Sequence, residues 1–207
     1  MKLFSAPARV LGAVILFAIA GAAAAQQPYP NKPIRFIVPY PPGGGTDPMA
    51  RMAAQKLAEK WGHPVVVENR PGGNTIIGTE AVAKSPPDGY TILMTPSGSL
   101  IGTPLLQPTS YDLIRDFAPV ATIARGELAL VLHPSVPAND LQEFIVLAKS
   151  KPGQLNYGSS GVGGSVHMAT EWFSVMQGVK MQHIPYKGSG PLIADLIGGQ
   201  IQLSFQF

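Results

Sequence analysis

No cysteine occurs anywhere in the 207 residues. Thiol catalysis, thiolate metal ligation and disulfide stapling are excluded, so an exported form must rest on a core that holds without cross-links. Charge is scarce at 13% and aromatic residues reach 8%. The chain has no Lys/Arg cluster and no basic stretch interleaved with aromatics, which argues against nucleic acid as a partner. Its histidines are His63, His133, His167 and His183. They show no H-x-x-x-H or comparable spacing, and neither a metal nor an organic cofactor is expected.

Motifs for nucleotides and nucleophiles are missing as well. A phosphate loop needs Gly-Lys-Ser/Thr at its end, and neither glycine-rich loop has a lysine there. The dinucleotide fingerprint starts at Gly161-Val162-Gly163, but Val166 stands where the last glycine belongs. The nucleophile elbow G-x-S-x-G fails because Gly158-Ser159-Ser160 is followed by Gly161-Val162.

What is present begins with an export signal. Lys2 and Arg9 precede an apolar run from Val10 to Ala20, and Ala23-Ala24-Ala25 offers a small-residue cleavage site before Gln26. Residues 1–25 therefore read as a secretory signal peptide, too short for a stable membrane span. Without Lys2 and Arg9 the remainder carries 13 basic against 12 acidic residues, a net charge of +1. The mature product is expected to be soluble and exported.

Beyond the signal, strands and helices alternate. Ile34–Val38 reads as a buried strand, Met49–Trp61 as a helix, Val65–Val67 as a second strand, about 75–84 as a helix and Tyr90–Met94 as a third strand. Order and spacing predict a parallel βαβ arrangement. In the first helix Met49, Ala53, Leu57 and Trp61 form the expected core stripe. Asp47 reads as its N-cap with Pro48 at the first helical position. Thr95–Ser99 reads as a polar loop, Tyr111–Phe117 as a short helix or turn, and Arg125-Gly126 as the passage between lobes. Asn139 with Gln142 predicts a capping box for a helix at about 140–149. A strand over Leu155–Tyr157 then runs through a glycine-rich loop, Gly158–Ser165, into a helix at Val166–Gln177 with Ala169, Trp172, Phe173 and Met176 facing the core. Gln182–Ile184, Pro191–Ile197 and Gln200–Phe205 read as strand, helix and strand.

Two stretches carry the functional expectation. Tyr40–Pro48 leaves a strand through prolines and Gly43-Gly44-Gly45, then enters a helix; Gly158–Ser165 repeats the device. Bare backbone amides at a helix start are a natural seat for an anion. A helix N-terminus contributes roughly 0.3–1 kcal/mol to a nearby negative charge, and charge-assisted hydrogen bonds about 1.5–3 kcal/mol each. Two such loops across a cleft can hold both ends of a small dicarboxylate. Asp47 would repel a carboxylate and is expected to orient its loop. Lys187 and Arg70 read equally as ligand cations or as solvated, loop-bracing residues. His63 and His133 read as turn residues and His183 as a hydrogen-bonded strand residue. His167 reads as either a pocket residue or a loop brace.

The runs YPNKPIRFIVPYPPGGGTDPMAR, VVVENRPGGNTIIG, PPDGYTIL, LNYGSSGVGGSVHMATE and HIPYKGSGPLIADLIGGQIQLSF resemble, in family order, segments of the Bug-type extracytoplasmic solute receptors. These are the substrate-binding proteins of tripartite tricarboxylate transporters. The resemblance implies an α/β fold of the type II periplasmic binding protein kind, with a ligand cleft between two lobes. It places a partial first lobe at 26–124 and a second lobe at 125–207. It also implies ligand contacts from Gly43, Gly44, Thr46, the loop of Asp47, Thr95 and Ser97 in the first lobe. Second-lobe contacts would be Ser159, Ser160, Gly161, Gly163, Ser165, His167, Tyr186 and Lys187. The implied role is non-enzymatic, periplasmic binding of a small carboxylate for delivery to membrane permease subunits or a sensor.

Three departures stand out. PGGNTIIG lacks the family's usual alanine–glycine character, and Gln206 follows Phe205 where the family usually has aspartate. The return segment that completes the first lobe is missing, so a truncated receptor with uncovered apolar faces is expected. A small α/β enzyme acting on an anionic metabolite, or a non-functional receptor remnant, are the alternatives.

Overall fold

The computed structural model describes residues 28–207; the signal-peptide reading at 1–25 lies outside them. Pro33–Phe207 forms one compact unit containing two sheets. In the first, β1 (Ile34–Val38) is central, flanked in parallel by β2 (Val65–Asn69) and β3 (Thr91–Leu93). Ile34, Phe36, Ile37 and Val38 are all buried. A central parallel strand is covered on both faces, which is why it is apolar except at Arg35, whose guanidinium pairs with Glu68. Helices α1 (Thr46–Trp61) and α2 (Ile76–Ala83) pack against this sheet.

The second sheet has the order β4-β7-β5-β6. Its strands are β4 (Ala129–Leu132), β5 (Asn156–Ser159), β6 (Gln182–Pro185) and β7 (Leu203–Gln206). β4 runs antiparallel to β7, while β5 is parallel to both β6 and β7. Helices α4 (Leu141–Ser150), α5 (Ser165–Gln177) and α6 (Ser189–Ile197) belong to this half of the unit. The core here is Phe144, Ile145, Ala148, Leu155, Tyr157, Val179 and Leu203, with Leu192, Leu196 and Ile201 forming a second cluster.

Several local expectations are corrected. Thr46 opens α1, so Asp47 lies inside the helix and caps nothing; Gly45 is the N-cap and supplies no side-chain bond. The innermost α1 residues are Ala50 and Ala54, with Met49, Ala53, Leu57 and Trp61 half-buried beside them. Small side chains let the helix approach the sheet more closely than the larger stripe would. Thr95–Ser99 is not all loop, because Ser97 begins a helix, α3 (Ser97–Leu106), with Pro104 inside it. The cap of α4 is Asp140, one residue later than expected. Its carboxylate accepts from Glu143 N at 2.8 Å, and Glu143 accepts from Asn139 N at 2.7 Å.

On α5 the buried residues are Val166, Thr170 and Ser174; the expected Phe173 is half-buried and stacks on Phe144, whereas Trp172 and Met176 are exposed. Thr170 Oγ1 donates to the Val166 carbonyl and Ser174 Oγ to that of Thr170, both at 2.8 Å. Hydroxyls satisfied four residues back behave as small apolar groups and can be buried. Residues 107–128 contain neither helix nor strand, and Val120 and Ile123 in their apolar run are exposed. Among the described residues no helix is long and apolar enough to cross a membrane.

Candidate functional site

The ends of β1, β2, β5 and β6 and the start of α3 converge on a cavity of about 500 Å³. Pro39, Tyr40 and Pro41 follow β1, and Gly72, Gly73, Asn74 and Thr75 follow β2. Ser99 and Thr103 come from α3. Across from them stand Ser160, Gly161, Val162 and Gly164 beyond β5, and Tyr186, Lys187 and Gly188 beyond β6. Strand carboxyl ends are where open α/β sheets gather ligands, and the volume suits a small molecule. The lining contains hydroxyls, amides and one cation, Lys187, and no carboxylate. Lys187 makes no ion pair with any described residue.

Much of the surrounding polarity is already used to hold the loops. Asp47, 5% exposed, accepts from Arg51 Nε at 3.0 Å, Asn69 Nδ2 at 2.9 Å and Gly43 N at 3.2 Å. The Arg51 hydrogen bond, with help from Asn69 and Gly43, holds its carboxyl below the usual carboxylate range. Asp47 thus orients the triple-glycine loop as expected, and it does so by taking the Gly43 amide that was expected to be bare. Tyr40 donates to Ser99 Oγ at 2.5 Å; burial raises its phenol pKa, opposed by the Ser99 hydroxyl. Tyr186 presents its ring to the cavity and donates to Asp195 Oδ2 at 2.7 Å. Burial, reinforced by that acceptor, pushes its pKa up to about 12.

Behind the second glycine loop, Tyr157, His183 and His167 form a stack. The two imidazoles lie 4.2 Å apart, and Tyr157 donates a short hydrogen bond to Glu171. Burial and the neighbouring imidazole push His183 down to about 4, against the pull of Glu171; burial also lowers His167. Neutral His167 accepts from Gly163 N at its Nδ1, 3.1 Å away. Ser159 Oγ lies 2.7 Å from His183 Nε2 and 3.1 Å from the Gly161 carbonyl. Ser159 is fully buried and neither it nor His183 lines the cavity. Where Ser159 donates to Gly161, His183 donates to Ser159; the pair fixes the loop's entry.

Of the residues expected to touch ligand, Ser160, Gly161, Tyr186 and Lys187 line the cavity. Gly43, Gly44, Thr46, Asp47, Thr95, Ser97, Ser159, Gly163, Ser165 and His167 lie outside its lining. His167 takes the loop-bracing role. Tyr40, Asn74, Thr75, Ser99 and Thr103 line the cavity without having been singled out. Asn74 and Thr75 belong to the strand–glycine–helix unit after β2, whose kinship with the first loop was the available signal.

The two walls meet tightly. A Cβ on Gly102 of α3 would stand 2.4 Å from the Gly163 carbonyl oxygen, and one on Gly98 2.4 Å from Ser165 Oγ. Glycine is required at both positions by the approach of α3 to the start of α5.

Residues 49–206 match the family model described as the tripartite tricarboxylate transporter family receptor, TctC. The chain belongs to this family. It is 40% identical over 194 residues to protein BugT of Bordetella pertussis, covering 93% of this chain and 60% of that protein. Among solved structures, R. palustris Rpa4515 with adipate superposes with a TM-score of 0.82 at 37% identity, covering 86% of this chain and 60% of that one. MatC from Rhodopseudomonas palustris with bound malate gives 0.80 at 27% identity, covering 86% and 61%. The fold is therefore the α/β fold of periplasmic solute-binding receptors, and the family is one of receptors, not enzymes. The chain spans about 60% of the length of these relatives.

Proposed function

We propose that the chain binds a small dicarboxylate in the cavity between the two sheets. We further propose that it is exported by residues 1–25 to the periplasm and serves the permease subunits of a tripartite tricarboxylate transporter. Lobes divided near residue 124 are supported by the two sheets, built from residues 34–93 and 129–206. The observation that carries the reading is the lining: hydroxyl and amide donors, Lys187 and no carboxylate. Such a wall favours an anion, and it contains no carboxylate or imidazole to activate its hydroxyls as nucleophiles. The relatives with adipate and malate supply the ligand class. Ser160, Gly161, Tyr186 and Lys187 are the proposed contacts from the second wall.

Thermal denaturation of the purified chain with adipate, malate and citrate tests this. A bound acid at 100 times its Kd stabilises by about 2.7 kcal/mol, a readable rise in Tm. Uncharged diols of equal length should leave Tm unchanged. No shift with any carboxylate, or consumption of the ligand during incubation, refutes the proposal.

A further inference from the structure

We infer that Thr75 is a ligand contact whose hydroxyl donates to one carboxylate of the bound solute; this rests on the dicarboxylate reading above. Thr75 lines the cavity at the start of α2, yet it is only 6% exposed. Its Oγ1 is buried without any hydrogen-bond partner. Leaving a buried hydroxyl unpaired is costly, and native proteins satisfy most such groups. Thr79, one turn further along α2, has a similarly unpaired hydroxyl but does not line the cavity. Among the described residues, Thr75 alone combines an unpaired buried hydroxyl with a place in the wall.

The backbone supplies an independent observation. Among the described residues, Asn74 and Thr75 are the non-glycine residues with positive φ, at +51° and +79°. Asparagine tolerates that region, whereas for β-branched threonine it is a true outlier. Strain of this kind persists only where the surroundings over-determine it, and it concentrates at ligand clamps. The surroundings do so here: Thr103 Oγ1 donates to the Asn74 carbonyl at 3.2 Å, and Ile76 N donates to Gly73 O. Glycine would relieve the strain but supply no hydroxyl. A carboxylate beside the Thr75 hydroxyl also meets the favourable end of the α2 dipole.

The test is calorimetric titration of the purified chain with adipate and with hexanoate, which lacks the second carboxylate. Thr75→Val keeps the branched shape and removes the hydroxyl. Adipate binding should weaken about 10- to 100-fold, as for a lost hydrogen bond to a charged group. The preference for adipate over hexanoate should shrink with it, while the free protein melts no lower than the parent, since an unpaired polar atom has gone. Thr75→Ser should bind adipate as the parent does. If Thr75→Val fails to fold, Thr75→Gly accommodates the positive φ and should show the same loss. Parent-like adipate affinity in the Val or Gly variant, or an equal loss in the Ser variant, overturns the role of Thr75 alone. A parent chain that binds no dicarboxylate overturns the role and the underlying reading together.

Discussion

Replacing Gly102 by alanine sets two effects of known sign against each other. In a helix interior, glycine to alanine contributes up to about 1 kcal/mol of stability through backbone entropy. At Gly102 the added methyl would stand 2.4 Å from the Gly163 carbonyl oxygen and 3.5 Å from Met168 Cγ. Normal carbon–oxygen contact requires roughly 3.3 Å or more, so α3 must retreat by about an ångström or the Gly163 loop must shift. Overpacking of this kind costs about 1–3 kcal/mol, and the obstacle is backbone, not a flexible side-chain end. The expected net result is a loss of up to about 2 kcal/mol. Gly190 is the control: it lies in α6 and a Cβ there meets nothing within 4 Å. Gly190→Ala should stay within about 1 kcal/mol of the parent, since the gain in backbone entropy is set against the crowding of Pro191 on a non-glycine residue in the α region. Urea denaturation of both variants beside the parent gives the comparison, and adipate titration reads whether the displaced loop loosens the cavity. If Gly102→Ala proves as stable as Gly190→Ala, the close approach of α3 to α5 is not a constraint in solution and the steric reasoning fails.

Acidification should weaken the fold through the imidazole pair. In the unfolded chain a histidine takes its proton near pH 6.5, whereas His183 resists until about pH 4. The unfolded state binds more protons in between, so the stabilisation is present above about pH 6.5 and lost as pH falls toward 4. Allowing for partial solvent access it is on the order of 1–2 kcal/mol. Denaturation midpoints from pH 7 to 4.5 should fall for the parent and flatten in His183→Phe; an unchanged slope in that variant would sink the assignment. Asp47→Ala should destabilise by about 2–4 kcal/mol, because it strips the acceptor from Gly43 N, Asn69 and Arg51. A measured loss below about 0.5 kcal/mol would show that the network is not needed. Lys187→Gln should weaken dicarboxylate binding while leaving the urea midpoint in place, since Lys187 makes no ion pair with any described residue; unaltered affinity removes it from the site.

The strand–loop–helix succession was legible because its signals are local. A largely apolar run at Ile34–Val38 and the prolines at 39, 71 and 96 after the first three strands act over a few residues. Sheet topology in the first half followed from the parallel βαβ order. The α5 face was legible only at Phe173: Thr170 and Ser174 look polar in sequence, and only their bonds to carbonyls four residues back make them fit for burial. Asp47 was read as a cap because aspartate before proline usually is one; the bonds it makes to Asn69 and Arg51 depend on how β2 lies beside α1. The cavity lies at the strand ends that the glycine loops marked, but its lining takes a different share of each loop from the residues expected. Gly43 and Gly163 spend their amides on Asp47 and His167, whereas Asn74 and Thr75 enter the wall through a left-handed turn that β-branching would argue against.

The position of β7 has a consequence for how the molecule assembles. β1, β2 and β3 are drawn from residues 34–93, so the first sheet can close on contacts of modest sequence separation. β4 is different: its neighbour in the sheet is β7, with Ala129 opposite Gln206. Until Leu203–Gln206 arrives, β4 has no partner and the side of β5 away from β6 stays open. Long-range pairing of this kind is slow because loop closure must precede its reward. The two sheets should therefore acquire hydrogen-exchange protection in sequence, the first ahead of the second, with the Tyr157–His183–His167 stack ordering only after the last strand is home.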